Sequence, residues 1–398
     1  MTDKIYFNKK NKCPMKINAT VSRALNRRLV LNHLRRQGLM SRAEITAATG
    51  LSPAAISFVV AELMDEALVS ERQAVVNAKG RPSTPLEINY GSQLALGFKL
   101  NRESISAVLT DLATTPLAAS EIRISDVTPE GIIGSIVSSI PGLLAKAGRK
   151  EAEVMGIGVS IPGEIDPVSG VCIQSPRFGW QSLPLAELLG ERVQVPVWID
   201  DDVNAFGIAQ KLFGAGRDLK NFAALAIGAG IGCSLVINGD IYHGSRSAAG
   251  KLGHFTSVPG GRLCECGRRG CLMAHAAEPY MLDEWERLSG TRISRDDFVS
   301  AAAQRSEIAL SILSETGTRI GRHLADVVNM FDPEIIVVGG EAAQFGDALL
   351  NPIREAMEAY SFFSKPELVL DWVEQSWARG AAALATQNIF DFQRNSSV

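Results

Sequence analysis

A small helical head joined to a long α/β body is the fold class that this 398-residue sequence predicts, and three observations carry it. Between Asn26 and Val69, apolar residues recur at helical spacing between capping residues and glycine stops. From about Ser92 onward, apolar strand-like runs alternate with helical segments and end in glycines or acids, where open α/β sheets place ligands. His254, Cys264, Cys266 and Cys271 crowd into one segment, GHFTSVPGGRLCECGRRGC. Hydrophobic residues make up 46% of the chain, ample for large cores, and the length fits two or three domains. The N-terminus lacks the apolar centre of a signal peptide and no apolar run approaches a membrane span, so a cytoplasmic protein without a membrane partner is expected. Cys13, Cys172 and Cys233 are scattered, as reduced thiols would be.

In the head, Leu29, Val30, His33 and Leu34 recur at helical spacing and Gly38 supplies a stop. Ser41 caps a second helix, with Glu44 three residues on, and Gly50 ends it. Leu51-Ser52-Pro53 gives a turn, a cap and a proline at the first position of a third helix whose Ile56, Val60 and Leu63 point one way. This is a helix-turn-helix. Leu68-Val69 and Leu86-Glu87-Ile88 can pair as strands around the loop Asn77–Ser83, which makes that loop a wing.

Residues 1–90 hold 14 Lys and Arg against 7 Asp and Glu, whereas the remainder holds 26 against 36. Concentrated cations suit a polyanion, although charge alone would equally fit a solvated basic tail. With the helix-turn-helix, double-stranded DNA is the expected partner. Ser52, Ala54, Ala55, Ser57 and Phe58 then face the major groove, Lys79 and Arg81 belong to the wing, and Arg27 and Arg28 meet phosphates. Small and apolar side chains chiefly read thymine methyl groups, and Arg81 before Pro82 can enter a narrow minor groove, so an A·T-rich operator is expected. Phe58 has an equal alternative as a core or interdomain aromatic.

In the body, LALGFKL and ISAVLTDL read as adjacent strands. VMGIGVSIPG, VPVWIDDDVNA, FAALAIGAGIGCSLVING and EIIVVGG each put a strand before glycines or acids. The His-Cys cluster is a full tetrahedral shell for one structural Zn2+, closed to water, with glycines at 260, 261, 267 and 270 to fold the loop. Buried unligated thiols, or a Cys266–Cys271 disulfide, are the alternatives.

VSIPGEID (159–166), IDDDVNA (199–205), AIGAGIGCSLVINGDIYHG (226–244), AAGKLGH (248–254), the cysteine cluster and NMFDPEIIVVGGE (329–341), in this order and spacing, resemble the ROK family of repressors, uncharacterised reading frames and sugar kinases. The fused winged helix-turn-helix resembles specifically its transcriptional repressors. The resemblance implies a two-lobed actin-like (ribonuclease H-like) ATPase-type fold behind the winged head. Its domains would be 1–90, a first lobe at 91–203 and a larger, zinc-bearing lobe at 204–398, with the C-terminal helix free to return to the first lobe. It also implies a homodimer or dimer of dimers on a palindromic operator, and a carbohydrate-type effector; a sugar kinase with an added DNA-binding domain and a repressor controlled by a partner protein are the alternatives.

Relative to the family's kinases, the phosphate-holding Asp-x-Gly-Gly-Thr turn is replaced by Lys99-Leu100-Asn101-Arg102-Glu103, in which Glu103 would repel phosphate. Gly-Thr-Gly becomes Gly228-Ala229-Gly230. Gly339-Gly340 remain, either under adenosine or for close helix–strand packing. No catalytic residue is therefore expected. The resemblance puts Gly163, Asp201, Asp202, Lys251 and His254 at the effector, with Asp202 at the general-base position. The glutamates that the family pattern leads one to expect are replaced by Lys251 and Met273. Lys251 would pair with Asp201 or Asp202, or else meet an anionic group on the effector. Zinc would fix a helix carrying His275 and Glu278.

Overall fold

The computed structural model describes residues 19–73, 84–373 and 375–390. They fall into two compact units, one built from residues 19–73 and 84–89 with 389–390, the other from residues 90–373 with 375–388. Lys79 and Arg81, and with them the wing tip, lie outside the described residues.

The first unit has three helices, α1 (Ala19–Gln37), α2 (Arg42–Thr49) and α3 (Pro53–Asp65), then β1 (Val69–Glu71) and β2 (Leu86–Ile88). Local chemistry sets each boundary of the helix-turn-helix. Ser41 Oγ accepts from the Glu44 amide at 3.3 Å while the Glu44 carboxylate accepts from the Ser41 amide at 2.7 Å, a reciprocal cap. Gly50 ends α2 at φ 69°, a left-handed conformation that a side chain resists. Ser52 Oγ then accepts from Ala55 N at 3.2 Å, and Pro53 opens α3. Strands β1 and β2 pair antiparallel, Val69 opposite Ile88. Ile45, Ile56, Val59, Val60, Leu63 and Leu86 form the core with Val30, Leu31 and Leu34 of α1. The buried stripe of α1 is thus shifted from the expected one. Leu29 is exposed and His33 half-buried, because the run Leu29-Val30-Leu31 offers two helical stripes and the one through Leu31 meets the core.

The second unit contains two five-stranded sheets of matching topology. The first is made of β3 (Leu94–Leu100), β4 (Ser104–Thr110), β5 (Pro116–Arg123), β6 (Val154–Ile161) and β10 (Val197–Asp201), in the order β10-β6-β3-β4-β5. α4 (Pro129–Ala147) covers it. A small sheet of β7 (Glu164–Asp166), β8 (Val171–Ser175) and β9 (Trp180–Leu183), followed by α5 (Leu185–Gly190), is inserted before β10. After α6 (Asp202–Phe213), the second sheet runs β13-β12-β11-β14-β15, from β11 (Phe222–Ile227), β12 (Ile231–Ile237), β13 (Asp240–Ile241), β14 (Ile335–Gly339) and β15 (Glu367–Leu370). In each sheet an antiparallel meander is extended by two strands parallel to its first. α7 (Glu278–Ser289), α8 (Arg295–Ala303), α9 (Glu307–Phe331) and α10 (Asp347–Tyr360) accompany the second sheet.

The last helix, α11 (Ser376–Phe390), lays Ala378, Ala382 and Ala385 against Ala95 and Val108 of the first sheet. Its backbone comes so close to Gly97 and Gly158 that a side chain at either would overlap the Ala378 or Ala381 carbonyl. The carboxyl ends of β3, β6 and β10 in one sheet, and of β11 and β14 in the other, converge on one cleft. That is where such sheets place ligands.

Candidate functional site

The segment after β13 folds on itself through isolated bridges between Thr256 and Cys271 and between Leu263 and Arg269. This brings His254 Nδ1 to 3.7 Å from Cys264 Sγ, and Cys266 Sγ to 3.7 Å from Cys271 Sγ. All four ligand atoms lie within 4.8 Å of one another, an arrangement that could hold a metal ion. The disulfide alternative is not formed, since an S–S bond is about 2.05 Å long and the described cysteines are free. Burial pushes the Cys264 thiol up to about 12, so a nearby cation is what would draw its proton off. His275 lies on a short 3-10 turn, Leu272–His275, and not on the helix expected to carry it; its Nε2 accepts from the Arg262 amide at 3.0 Å. Glu278 opens α7, paired with Arg295 at 3.1 Å.

The cleft has a volume of about 370 Å³, within the range of small-molecule sites. It brings together all five expected effector residues, Gly163, Asp201, Asp202, Lys251 and His254. Lys251 Nζ donates to Gly163 O and to Asp201 Oδ2, both at 2.7 Å. Of the two carboxylates weighed as its partner, the structure gives it Asp201. Asp202 is taken instead by Lys99, which is 3% exposed and stands at the end of β3. Asp200 accepts from Asn204 at 3.1 Å and pairs with His243 Nε2 at 2.8 Å. Arg177 faces Glu265 at 3.5 Å.

Burial opposes charge on Asp202, but Lys99 outweighs it and holds the carboxyl below its usual range. For Lys251 burial again opposes charge, and Asp201 more than compensates, raising the ammonium. His243 is likewise raised by Asp200 against the cost of its own burial. Asp201, crowded by burial and by neighbouring acids, is pushed up.

At Gly228 and Gly339, read in the sequence as what is left of the phosphate and adenosine contacts, the chain itself fills the space. A side chain at Gly228 would overlap the Glu341 carboxylate, which accepts from Trp377 Nε1 at 2.7 Å. Gly339 is pressed by the Phe206 and Trp372 rings, so close packing accounts for it. Arg102 and Glu103 are exposed and do not line the cleft; Lys99 and Asn101 do.

On the helix-turn-helix, Ser52, Ala54, Ser57 and Phe58 are exposed and Ala55 is half-buried. Phe58 is 56% exposed, with the Arg23 guanidinium 5.3 Å from its ring, which rules out a core role in this unit. Arg27 does not reach outward. It is forked onto Glu66 and lies 3.8 Å from Glu62, because α1 crosses α3 where those two acids emerge. Arg28 is half-buried on the same helix.

The sequence profile of the ROK family matches residues 95–388. The chain belongs to the ROK family. It is 26% identical over 370 residues to the xylose repressor of Bacillus subtilis (strain 168), covering 93% of this chain and 96% of that protein. Over 379 residues it is 26% identical to the DNA-binding transcriptional dual regulator NagC of Escherichia coli (strain K12), covering 92% and 93%. Among solved structures it is similar to a ROK family transcriptional regulator described as a homolog of the E. coli MLC protein, with TM-score 0.81, 26% identity and coverage of 93% and 97%. It is also similar to a ROK family glucokinase from Streptomyces griseus in complex with glucose and AMPPNP, with TM-score 0.67 and 25% identity, over 74% of this chain and 99% of that one.

Within this ROK body, sequence reasoning missed Lys99, Arg177, His243 and Glu341. Lys99 left a signal, a lone lysine in the otherwise apolar strand LALGFKL. The partners of the other three are set by how the lobes meet and leave no local trace. Among the described residues no single helix is long and apolar enough to cross a membrane.

Proposed function

We propose that this chain is a cytoplasmic DNA-binding transcriptional repressor, not a kinase, whose operator affinity is set by a carbohydrate-type effector in the cleft between the two sheets. The observation that carries the reading is the Lys99–Asp202 pair. A general base works best with a pKa near the working pH, and a carboxylate held below its usual range by a buried ammonium is a poor one. Glu341 over Gly228 further opposes phosphate by like charge. What remains is a cleft of hydrogen-bonding groups with no reaction to serve, attached to a helix-turn-helix that lies outside the matched residues 95–388. The names of the relatives, a xylose repressor and the regulator NagC, support the same reading.

Ser52, Ala54, Ala55, Ser57 and Phe58 would read the major groove, Arg81 of the wing the minor groove with Lys79 beside it, and Arg28 a phosphate, with A·T-rich half-sites. A homodimer would place two such heads on a palindrome. The four-residue cluster would hold one structural zinc. A tetrahedral ion with Zn–S bonds of about 2.3 Å needs sulfur–sulfur edges of about 3.8 Å, and the Cys266–Cys271 spacing is 3.7 Å. Zinc would supply rigidity there, fixing His254 in the cleft wall.

Footprinting tests the DNA half: a dimer should protect two symmetry-related half-sites, and one of a panel of sugars should change the affinity. Sugar-dependent ATP turnover by the pure protein, with no operator binding, would sink the reading.

A further inference from the structure

Every carboxylate of the run Asp200-Asp201-Asp202 is already engaged. Asp200 has His243 and Asn204, and Asp202 has Lys99. Asp201 Oδ1 accepts from the Val203 amide at 3.0 Å, capping α6, and its Oδ2 accepts from Lys251. The same ammonium takes the Gly163 carbonyl. A sugar hydroxyl entering the cleft therefore finds the Asp201 and Gly163 acceptors occupied by a side chain of the protein.

The three cations of the cleft wall are not equally free to leave. Lys99 is 3% exposed and wedged under Trp377, its Nζ 5.3 Å from the ring centre. Arg177 pairs with Glu265 at 3.5 Å, and its charge acts on Asp202 only through space. The Lys251 side chain is one-third exposed, at 33%, on a flexible four-carbon stem. It springs from a fixed base, since the adjoining turn Leu252–His254 is tied down by buried Leu252. When that ammonium withdraws, Asp201 loses the neighbour that holds its pKa down, but its Oδ1 stays fixed by the Val203 amide at the start of α6, so Oδ2 remains placed to meet a hydroxyl.

We infer that Lys251 is a built-in competitor of the effector: its ammonium closes the Asp201–Gly163 acceptor pair, and a ligand binds by displacing it. The ligand class that fits is a neutral carbohydrate presenting two adjacent hydroxyl donors, which replace two N–H donors of one ammonium. This rests on the carbohydrate reading of the cleft, and it reverses the simple expectation that a lysine there recruits an anion.

Calorimetry of the full-length, metal-loaded protein tests it, using D-xylose, D-glucose and N-acetylglucosamine as probes on wild type, Lys251→Met and Lys251→Gln. Metal content and urea unfolding check that each variant is folded. A sugar that binds wild type should bind Lys251→Met at least tenfold more tightly, with Lys251→Gln between the two. If wild type binds a sugar and both variants bind it equally or more weakly, Lys251 is a bystander or a ligand contact, and the inference falls while the carbohydrate reading stands. If no sugar binds any of the three proteins, both fall together. Should Lys251→Met fail to fold, Lys251→Gln alone decides, by the sign of its change.

Discussion

Asp202 keeps its charge in a nearly dry wall because Lys99 reaches it from two strands away in the first sheet. Removing one member of a buried pair leaves the other uncompensated, at a cost of roughly 3–5 kcal/mol. Lys99→Met should therefore lower the unfolding free energy in urea by about 3 kcal/mol, and Lys99→Met with Asp202→Asn should recover most of it. His243 follows a different logic. Its folded-state pKa is raised by Asp200, with Asp201 adding to the effect and Asp166 feeling the same ring. The pair's stabilisation is thus fully present below about 6.5, the ordinary histidine value, and is lost as pH rises through the higher folded value. The stability gap between wild type and His243→Gln should be wider at pH 6 than at pH 9; an equal gap would mean that the ring binds Asp200 in its neutral form. Neither partner could be named from the sequence. Lys99 and Asp202 are 103 positions apart, and only the placement of β6 between β3 and β10 brings them into reach.

Elements governed by local rules were far more legible. The caps at Ser41 and Ser52 and the stop at Gly50 depend on residues within four positions, and each was readable before any fold was considered. The cluster of His254, Cys264, Cys266 and Cys271, which could hold a metal ion, was legible for the same reason, its four residues lying in one segment. Cys264→Ser or Cys271→Ser should abolish metal binding, measured by elemental analysis, and should destabilise the second unit in a thermal melt. The buried stripe of α1 was less legible, since three apolar residues in a row left its rotation open. Arg27 was expected at a phosphate, and its tertiary partners Glu66 and Glu62 could not be read from the sequence. Forked on Glu66, it neutralises acids on α3 that would otherwise face a polyanion. Arg27→Ala should weaken operator binding on every sequence, by about 1 kcal/mol or roughly fivefold. Arg27→Ala with Glu66→Gln should regain much of this in an anisotropy titration; no recovery would return Arg27 to the phosphate backbone.

Across the whole molecule, the resemblance gave both sheets and their common cleft, because strands ending in glycine or acid mark the ligand edge wherever they occur. The way the cleft walls are joined was not legible. Lys251–Asp201, His243–Asp200 and Arg177–Glu265 each link a residue numbered below 204 to one numbered above it, and long-range pairs of this kind leave no spacing to read. One of the wall residues also gives the protein an optical property. Trp377 hydrogen-bonds to Glu341, lies 5.0 Å from Trp372 between ring centres, and has the Lys99 ammonium above its ring. Indole emission responds to nearby charge and to water, and this indole borders the cleft itself. Any ligand that shifts Lys99 or Glu341, or shields the ring from water, should change the protein's intrinsic fluorescence, and Trp377→Phe should silence most of that change. Occupancy could then be read in real time on the unlabelled protein, beside its DNA.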